Sequence, residues 1–205
     1  MSPSNEQQEY HALLEVSQLI TTPDLDHVLA ETLRIMIETL SAHKGSILLI
    51  ERDESLCRRF ILQHDLPLKT SLVAVKQVLE QGLAGWVMNH KQGTIVENVW
   101  EDDRWTTLPH DDQHDVQAAL CIPLILRDNV LGVMTLVSEH IGHFSNRDLQ
   151  LAMAIANQAS MVIYNARLFE DSNQQRYRLS TILQNVGEPL LILNNNYNLT
   201  LANRA

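Results

Sequence analysis

The chain has 205 residues, 45% of them apolar, and a net charge of −10 with only 15 Lys and Arg. That length suits one globular domain with a short extra piece. The scarcity of cations excludes a basic nucleic-acid footprint, and no apolar run approaches the roughly 18 residues of a membrane span.

The polar start MSPSNEQQEYHALLEV lacks the charged and apolar regions of a signal peptide. Residues Glu6 to Ile20 read as a first helix, with Leu13, Val16 and Ile20 along one face. Thr22-Pro23-Asp24 reads as the next helix start: Thr22 accepts from early N–H groups, Pro23 suits the first helical position and Asp24 favours the positive end. This second helix is expected to run to about Ala42, since Leu25, Val28, Leu29, Thr32, Leu33, Met36 and Leu40 form a broad core-facing stripe.

Ser46–Glu51 is a short apolar run and reads as a central strand. Leu56–His64 follows it after the turn residues Asp53-Glu54-Ser55. Leu66–Gln81 is ambiguous: Val75, Val78 and Leu79 have helical spacing, while 71–75 also suits an extended segment. Gly82–His90 reads as a short helix and Thr94–Val99 as a strand. Ala119–Leu126 and Val130–Val137 form a hairpin around Asp128-Asn129, residue types that tolerate positive φ. Pro123 removes a ladder donor, so a bulge or an unpaired position is expected there. Ser145 caps the longest helix, with Asp148 in its first turn. Along it, Leu151, Ile155, Ala159, Val162, Ala166 and Phe169 recur at spacings of four and three, a seam for packing on another helix. The helix is expected to continue to about Leu183. Gly187-Glu188-Pro189 then breaks the pattern, and Leu190–Leu193 and Leu199–Asn203 read as a hairpin.

The order of the motifs GWV, DDRW, IPL, LGVMTL and FSNRDL between Gly82 and Leu151 resembles a GAF domain, over roughly residues 10 to 170. The segment ILQNVGEPLLILNNNYNLTLANRA resembles the opening of a PAS domain. These resemblances imply a GAF-like sensor domain at 1–170, a helical linker at 171–186 and a truncated PAS-like start at 187–205. The implied fold is α+β, a central antiparallel sheet with helices on both faces and a long C-terminal signalling helix. Its five clearest strands should be ordered 2-1-5-4-3. The two N-terminal helices and the long helix should cover one face, and the short helix and Trp-bearing loop the other. The implied function is non-catalytic: small-molecule sensing and dimerisation in a signal-transduction protein of the two-component type. An output enzyme such as a histidine kinase would then lie outside this fragment. A structural dimerisation spacer without ligand is the alternative, and a methionine-sulfoxide-reductase-like enzyme a distant third.

The candidate ligand-binding residues are Trp86, Asn98, Trp100, Arg104 and Trp105. All three Trp fall within 86–105, and aromatics on a loop beside a sheet suggest a pocket. For Trp86 the favoured reading is packing of the short helix on the sheet, with Gly82 and Gly85 permitting the close approach. Trp100 and Trp105 flank Glu101-Asp102-Asp103-Arg104, where burial is not automatic. The segment Glu101–Asp115 holds six carboxylates and one Arg. It reads first as a solvated acidic loop in which Asp102 or Asp103 ties Arg104 in place. A cation held between Trp faces and carboxylates is the sharper reading. The resemblance adds a third role, Arg104 as a latch across the pocket mouth.

No metal is expected: His110 with His114, and His140 with His143, each lack a third ligand and an orienting partner. No covalent bilin is expected, because residues 99–118 contain no Cys. The NKxxF…DE signature of cyclic-nucleotide GAF domains is also missing. Cys57 and Cys121 are the only cysteines and match no zinc or redox spacing, so a reducing cytoplasm is the simplest location. Cys121 reads as a small buried residue. Cys57 sits beside Arg58 and Arg59, whose charges would lower its pKa if the thiol is exposed. The expected partners are an unidentified small molecule and a second copy of the chain, in a parallel homodimer through the helices near 6–20 and 148–185.

Overall fold

A computed structural model of the chain describes residues 5–50, 56–63, 66–67, 78–106, 116–185, 191–193, 195 and 197–202. It divides into two compact units, Met1–Ala166 and Arg167–Ala205.

In the first unit the helices are α1 (Asn5–Gln18), continued by a 3-10 turn at Leu19–Thr21, α2 (Leu25–Thr39), α3 (Leu83–His90) and the start of α4 (Asn146–Asn185). The strands are β1 (Lys44–Ile50), β2 (Leu56–Gln63), β3 (Leu66–Pro67), β4 (Thr94–Val96), β5 (Ala118–Leu126) and β6 (Asn129–Ser138). They form one sheet in the order β3-β2-β1-β6-β5-β4, and every adjacent pair is antiparallel. The five expected strands therefore lie in the expected order, with Leu66–Pro67 added at one edge.

Side chains alternate across a strand, and that alternation separates two cores. Ile47, Leu49, Leu120, Ile122, Leu124, Met134 and Leu136 point to the face covered by α1, α2 and α4. Leu48, Ala119, Cys121, Val133 and Val137 point the other way, beneath α3 and Val99. The register shifts between Leu124 and Ile125. Leu131 is the extra residue there, and it enters the helix-covered core. The bulge thus falls just after Pro123, which itself pairs with Val133. The hairpin turn sits one residue earlier than Asp128-Asn129: Leu126 pairs with Asn129, and Arg127 takes the positive φ of 55°.

The helix ends follow local chemistry. Asp24, rather than Thr22, caps α2 by accepting from the His27 N–H at 3.2 Å, which leaves Pro23 outside the helix. Ser145 and Asp148 form the reciprocal capping arrangement at α4. The Asp148 N–H donates to Ser145 Oγ at 3.3 Å, and the Ser145 N–H donates to Asp148 Oδ2 at 2.8 Å. Arg147 joins Glu9 of α1 through Nε and Nη2, at 3.0 and 2.8 Å.

The long helix covers one sheet face as expected, and this takes up most of its apolar seam. Ile155, Ala159, Val162 and Ala166 are buried in the chain's own core, because this stripe is the one facing the sheet. Phe169, in the second unit, is 50% exposed. That unit contains residues 167–185 of α4 and a hairpin of β7 (Leu191–Leu193) and β8 (Leu199–Ala202), with Leu191 opposite Ala202. The turn residues Asp53-Glu54-Ser55, the segment 71–75, the breaker Gly187-Glu188-Pro189 and the turn residues Asn194 and Asn196 lie outside the described residues. Among the described residues no helix is long and apolar enough to cross a membrane.

Candidate functional site

The site is built on the sheet face opposite α1, α2 and α4. Helix α3 reaches this face because two glycines sit where it is crowded. A Cβ at Gly85 would overlap the Leu79 carbonyl oxygen, and one at Gly82 would lie 3.0 Å from Thr106 Oγ1. Only hydrogen fits at Gly85, so the helical residues 78–81 can pass directly against α3. This close approach brings Trp86 onto the sheet-face core, against which Val78, Leu79, Met88 and Trp105 also pack.

Trp86 is the centre of a stack. The His90 ring lies 4.2 Å from the Trp86 ring with 20° between planes, as two residues four apart on one helix allow. The Arg104 guanidinium sits over the Trp86 ring, 4.6 Å from its centroid, a cation–π distance. Arg104 is in turn fixed by Asp102. Nε donates to Oδ1 at 2.9 Å and Nη2 to Oδ2 at 2.6 Å, while the Arg104 backbone N–H donates to the same Oδ1 at 2.9 Å. Hydrogen bonding from Arg104 holds the Asp102 carboxyl below its ordinary range against the opposing effect of burial. The same hydrogen bonds raise Arg104. Of the two acids that could tie Arg104, the fold selects Asp102. The cation over a Trp face is the protein's own, and the face belongs to Trp86 rather than to Trp100 or Trp105.

Asn98 and Trp100 build the loop. Strand β4 ends at Val96, and Val99–Glu101 form a 3-10 turn capped by Asn98. Asn98 Oδ1 accepts from the Trp100 N–H at 3.2 Å, and its Nδ2 donates to Glu101 Oε1 at 2.8 Å. The Trp100 indole N–H donates to the Val116 carbonyl at 3.1 Å, so the ring clasps the turn to the start of β5 while remaining 38% exposed. Trp105 differs: its indole nitrogen is buried and has no hydrogen-bond partner among the described residues. The structure thus gathers Trp86 and Arg104 directly and packs Trp105 on the same core. It places Asn98 and Trp100 in the adjoining turn, with their polar groups used locally.

The sequence pattern did not single out His90 or the pairing of Cys121 with Thr135. The i, i+4 spacing from Trp86 is a signal for His90. Cys121 and Thr135 become neighbours only through the β5–β6 register, which sets Sγ 3.3 Å from Oγ1. Burial pushes the Cys121 thiol up to about 12, although the Thr135 hydrogen bond and the Arg104 charge act the other way. Cys121 is therefore a neutral thiol on the floor of the site. Strands β2 and β5, which carry Cys57 and Cys121, are separated by β1 and β6. Three strand spacings amount to roughly 14 Å, well beyond the ~7 Å between Cα atoms that a disulfide tolerates.

His143 is occupied structurally, with Nε2 3.1 Å from the Leu40 carbonyl oxygen and its ring edge-on to Phe144. Its proposed companion, His140, is exposed. Pro109, His110 and His114 lie outside the described residues. Among the described residues, no three His, Cys, Asp or Glu side chains are gathered as metal ligands would be.

A family model described as the GAF domain matches residues 22–163. A probable 3',5'-cyclic phosphodiesterase of Caenorhabditis elegans is 27% identical over 105 residues, 50% of this chain. The match spans only 14% of that protein's length. Among solved structures, the GAF domain of an Acinetobacter phosphoenolpyruvate-protein phosphotransferase aligns with TM-score 0.61 and 21% identity, covering 81% of this chain and 97% of its own. The free methionine-R-sulfoxide reductase of Neisseria meningitidis, in complex with its substrate, aligns with TM-score 0.65 and 15% identity, covering 82% and 95%. At these identities the structural matches speak for the fold.

Proposed function

We infer the function of this chain from the family to which it belongs, the GAF domains, known as signalling and sensor modules, and propose that it binds a small molecule and relays its occupancy without catalysis. The site is the sheet face beneath α3 and residues 98–106, with Trp86, Arg104 and Trp105 against the ligand and Asn98 and Trp100 holding the turn. The observation that carries this reading is the buried Trp105 indole N–H, which lacks an acceptor among the described residues beside an Arg already positioned on Trp86. Buried donors are normally paired, and a bound molecule supplies the missing partner. Occupancy changes output only if one arrangement of the chain binds more tightly than another. The route is α4, followed by the hairpin β7–β8, read as the opening of a PAS-like domain. The corresponding division is a sensor domain at 1–170, a linker at 171–186 and a second domain from 187, in a protein of the cytoplasm.

The partner is a second copy in parallel. Since the inner stripe of α4 is used internally, the available apolar side chains include Tyr10 and Leu14 on α1, Met161 and Tyr164 on α4 in the first unit, and Phe169, Leu179 and Ile182 in the second. Phe169→Asp with Leu179→Asp is expected to halve the mass seen by light scattering; an unchanged dimer mass would refute the interface. Native mass spectrometry of the protein purified from its own source tests sensing, with a retained small molecule as the expected result. Protein that retains nothing and shows no Trp fluorescence response across a metabolite panel would support the spacer reading. That second reading draws on Trp100 and Asn98, whose polar groups are satisfied within the chain. Reductase chemistry would require a second thiol near Cys121, and the strand holding Cys57 is three places away.

A further inference from the structure

We infer that the molecule held at this site is uncharged and presents a hydrogen-bond acceptor, a carbonyl oxygen or a heteroaromatic ring nitrogen, to the Trp105 indole N–H. The inference rests on the sensing reading above and specifies the chemical class of its ligand.

The two indoles of the loop have opposite fates. The Trp100 N–H finds the Val116 carbonyl, whereas the Trp105 N–H is shielded from solvent with no acceptor among the described residues. An indole nitrogen can only donate, so its missing partner is an acceptor. The surroundings then decide the charge of the group that brings it. A cationic ligand at the Trp86 face would meet the Arg104 guanidinium already there, which would repel it. An anionic ligand would need an uncommitted cation. Arg104 is already neutralised by the two-pronged pair with Asp102, and the Asp102 carboxylate would repel a second anion. The side chains packed on this sheet face, Val96, Ala119, Cys121 and Val133, are buried and apolar, with the Cys121 thiol neutral. Placing a net charge against such side chains is costly unless it is paired. A neutral acceptor satisfies the one open donor and leaves the Arg104–Asp102 pair intact.

The test is a titration of 15N-labelled protein followed through its indole N–H resonances. Trp105→Phe identifies the Trp105 signal; should that variant not fold, contacts from the indole proton to the Trp105 backbone amide identify it instead. The probes are 2-pyrrolidinone, acetate and methylguanidinium at matched ionic strength. The expected result is a saturable downfield shift of the Trp105 indole proton with 2-pyrrolidinone, with acetate and methylguanidinium binding at least about tenfold more weakly. One hydrogen bond supports a difference of that size. Equal or tighter binding of either charged probe would overturn the ligand class and leave sensing intact. So would a retained natural molecule that is charged. An unmoved Trp105 signal in all three titrations, exchanging directly with water, would also overturn it, with water as the acceptor. Sensing itself would stand or fall by the native mass measurement.

Discussion

Replacing Arg104 with Ala removes two contacts at once. One is the two-pronged ion pair with Asp102, whose side chains are 31% and 18% exposed for Arg104 and Asp102 respectively. Fully exposed pairs contribute about 0.2–1 kcal/mol, and two-pronged, partly buried geometry raises this to about 1–1.5 kcal/mol. The other contact is the guanidinium over Trp86, about 0.5–1 kcal/mol. The expected loss is therefore about 1.5–2.5 kcal/mol, equivalent to a fall in melting temperature of about 3–10 °C for a domain of this size. The pair also predicts a pH dependence. Asp102 titrates lower in the folded chain than when unfolded. Its contribution is thus complete above the unfolded carboxyl value of about 3.9 and is lost as pH falls through the folded value. Urea unfolding of wild type, Arg104→Ala, Asp102→Ala and the double variant closes a cycle that isolates the pair. The expected coupling is about 1 kcal/mol near neutral pH, shrinking below about pH 4. A coupling indistinguishable from zero at neutral pH, or one that grows in acid, would refute the assignment.

Three further outcomes follow from the packing. Gly85→Ala forces a methyl against the Leu79 carbonyl and should cost about 1–3 kcal/mol by displacing residues 78–81; an unchanged urea midpoint would show that α3 does not need that approach. Cys121, buried and protonated, should resist iodoacetamide at about pH 8 in native protein and react after denaturation, as read by peptide mass spectrometry; rapid native alkylation would contradict its burial. Amides of Leu191–Leu193 and Leu199–Ala202 should exchange with deuterium much faster than those of Leu131–Val137, since a two-stranded hairpin is marginal by itself while β6 is central in its sheet. Equal protection in the two would show that the hairpin is independently packed.

Much of the fold is written locally. Apolar spacing along residues 25–40, the continuous apolar run along 118–126 and the Ser145–Asp148 cap each specify an element through contacts a few residues apart. Local chemistry is therefore readable in sequence order, and motif order from Gly82 to Leu151 led to the family. The glycines at 82 and 85 likewise announced a close approach, though not that the Leu79 carbonyl makes it. What sequence could not decide was which of two valid partners each side chain takes. The apolar stripe Ile155, Ala159, Val162 and Ala166 suits a second copy or the chain's own sheet equally well; the sheet wins because covering β1, β5 and β6 buries the whole stripe within one chain. Asp102 and Asp103 are both near Arg104 in sequence, and the backbone turn that gives Asp102 Oδ1 to the Arg104 N–H selects between them. Trp100 and Trp105 share one short polar loop, yet one indole reaches a carbonyl sixteen residues away and the other is buried without an acceptor among the described residues. Sequence supplies the donors and acceptors, but their pairing depends on distances between strands and loops that exist only once the chain has folded.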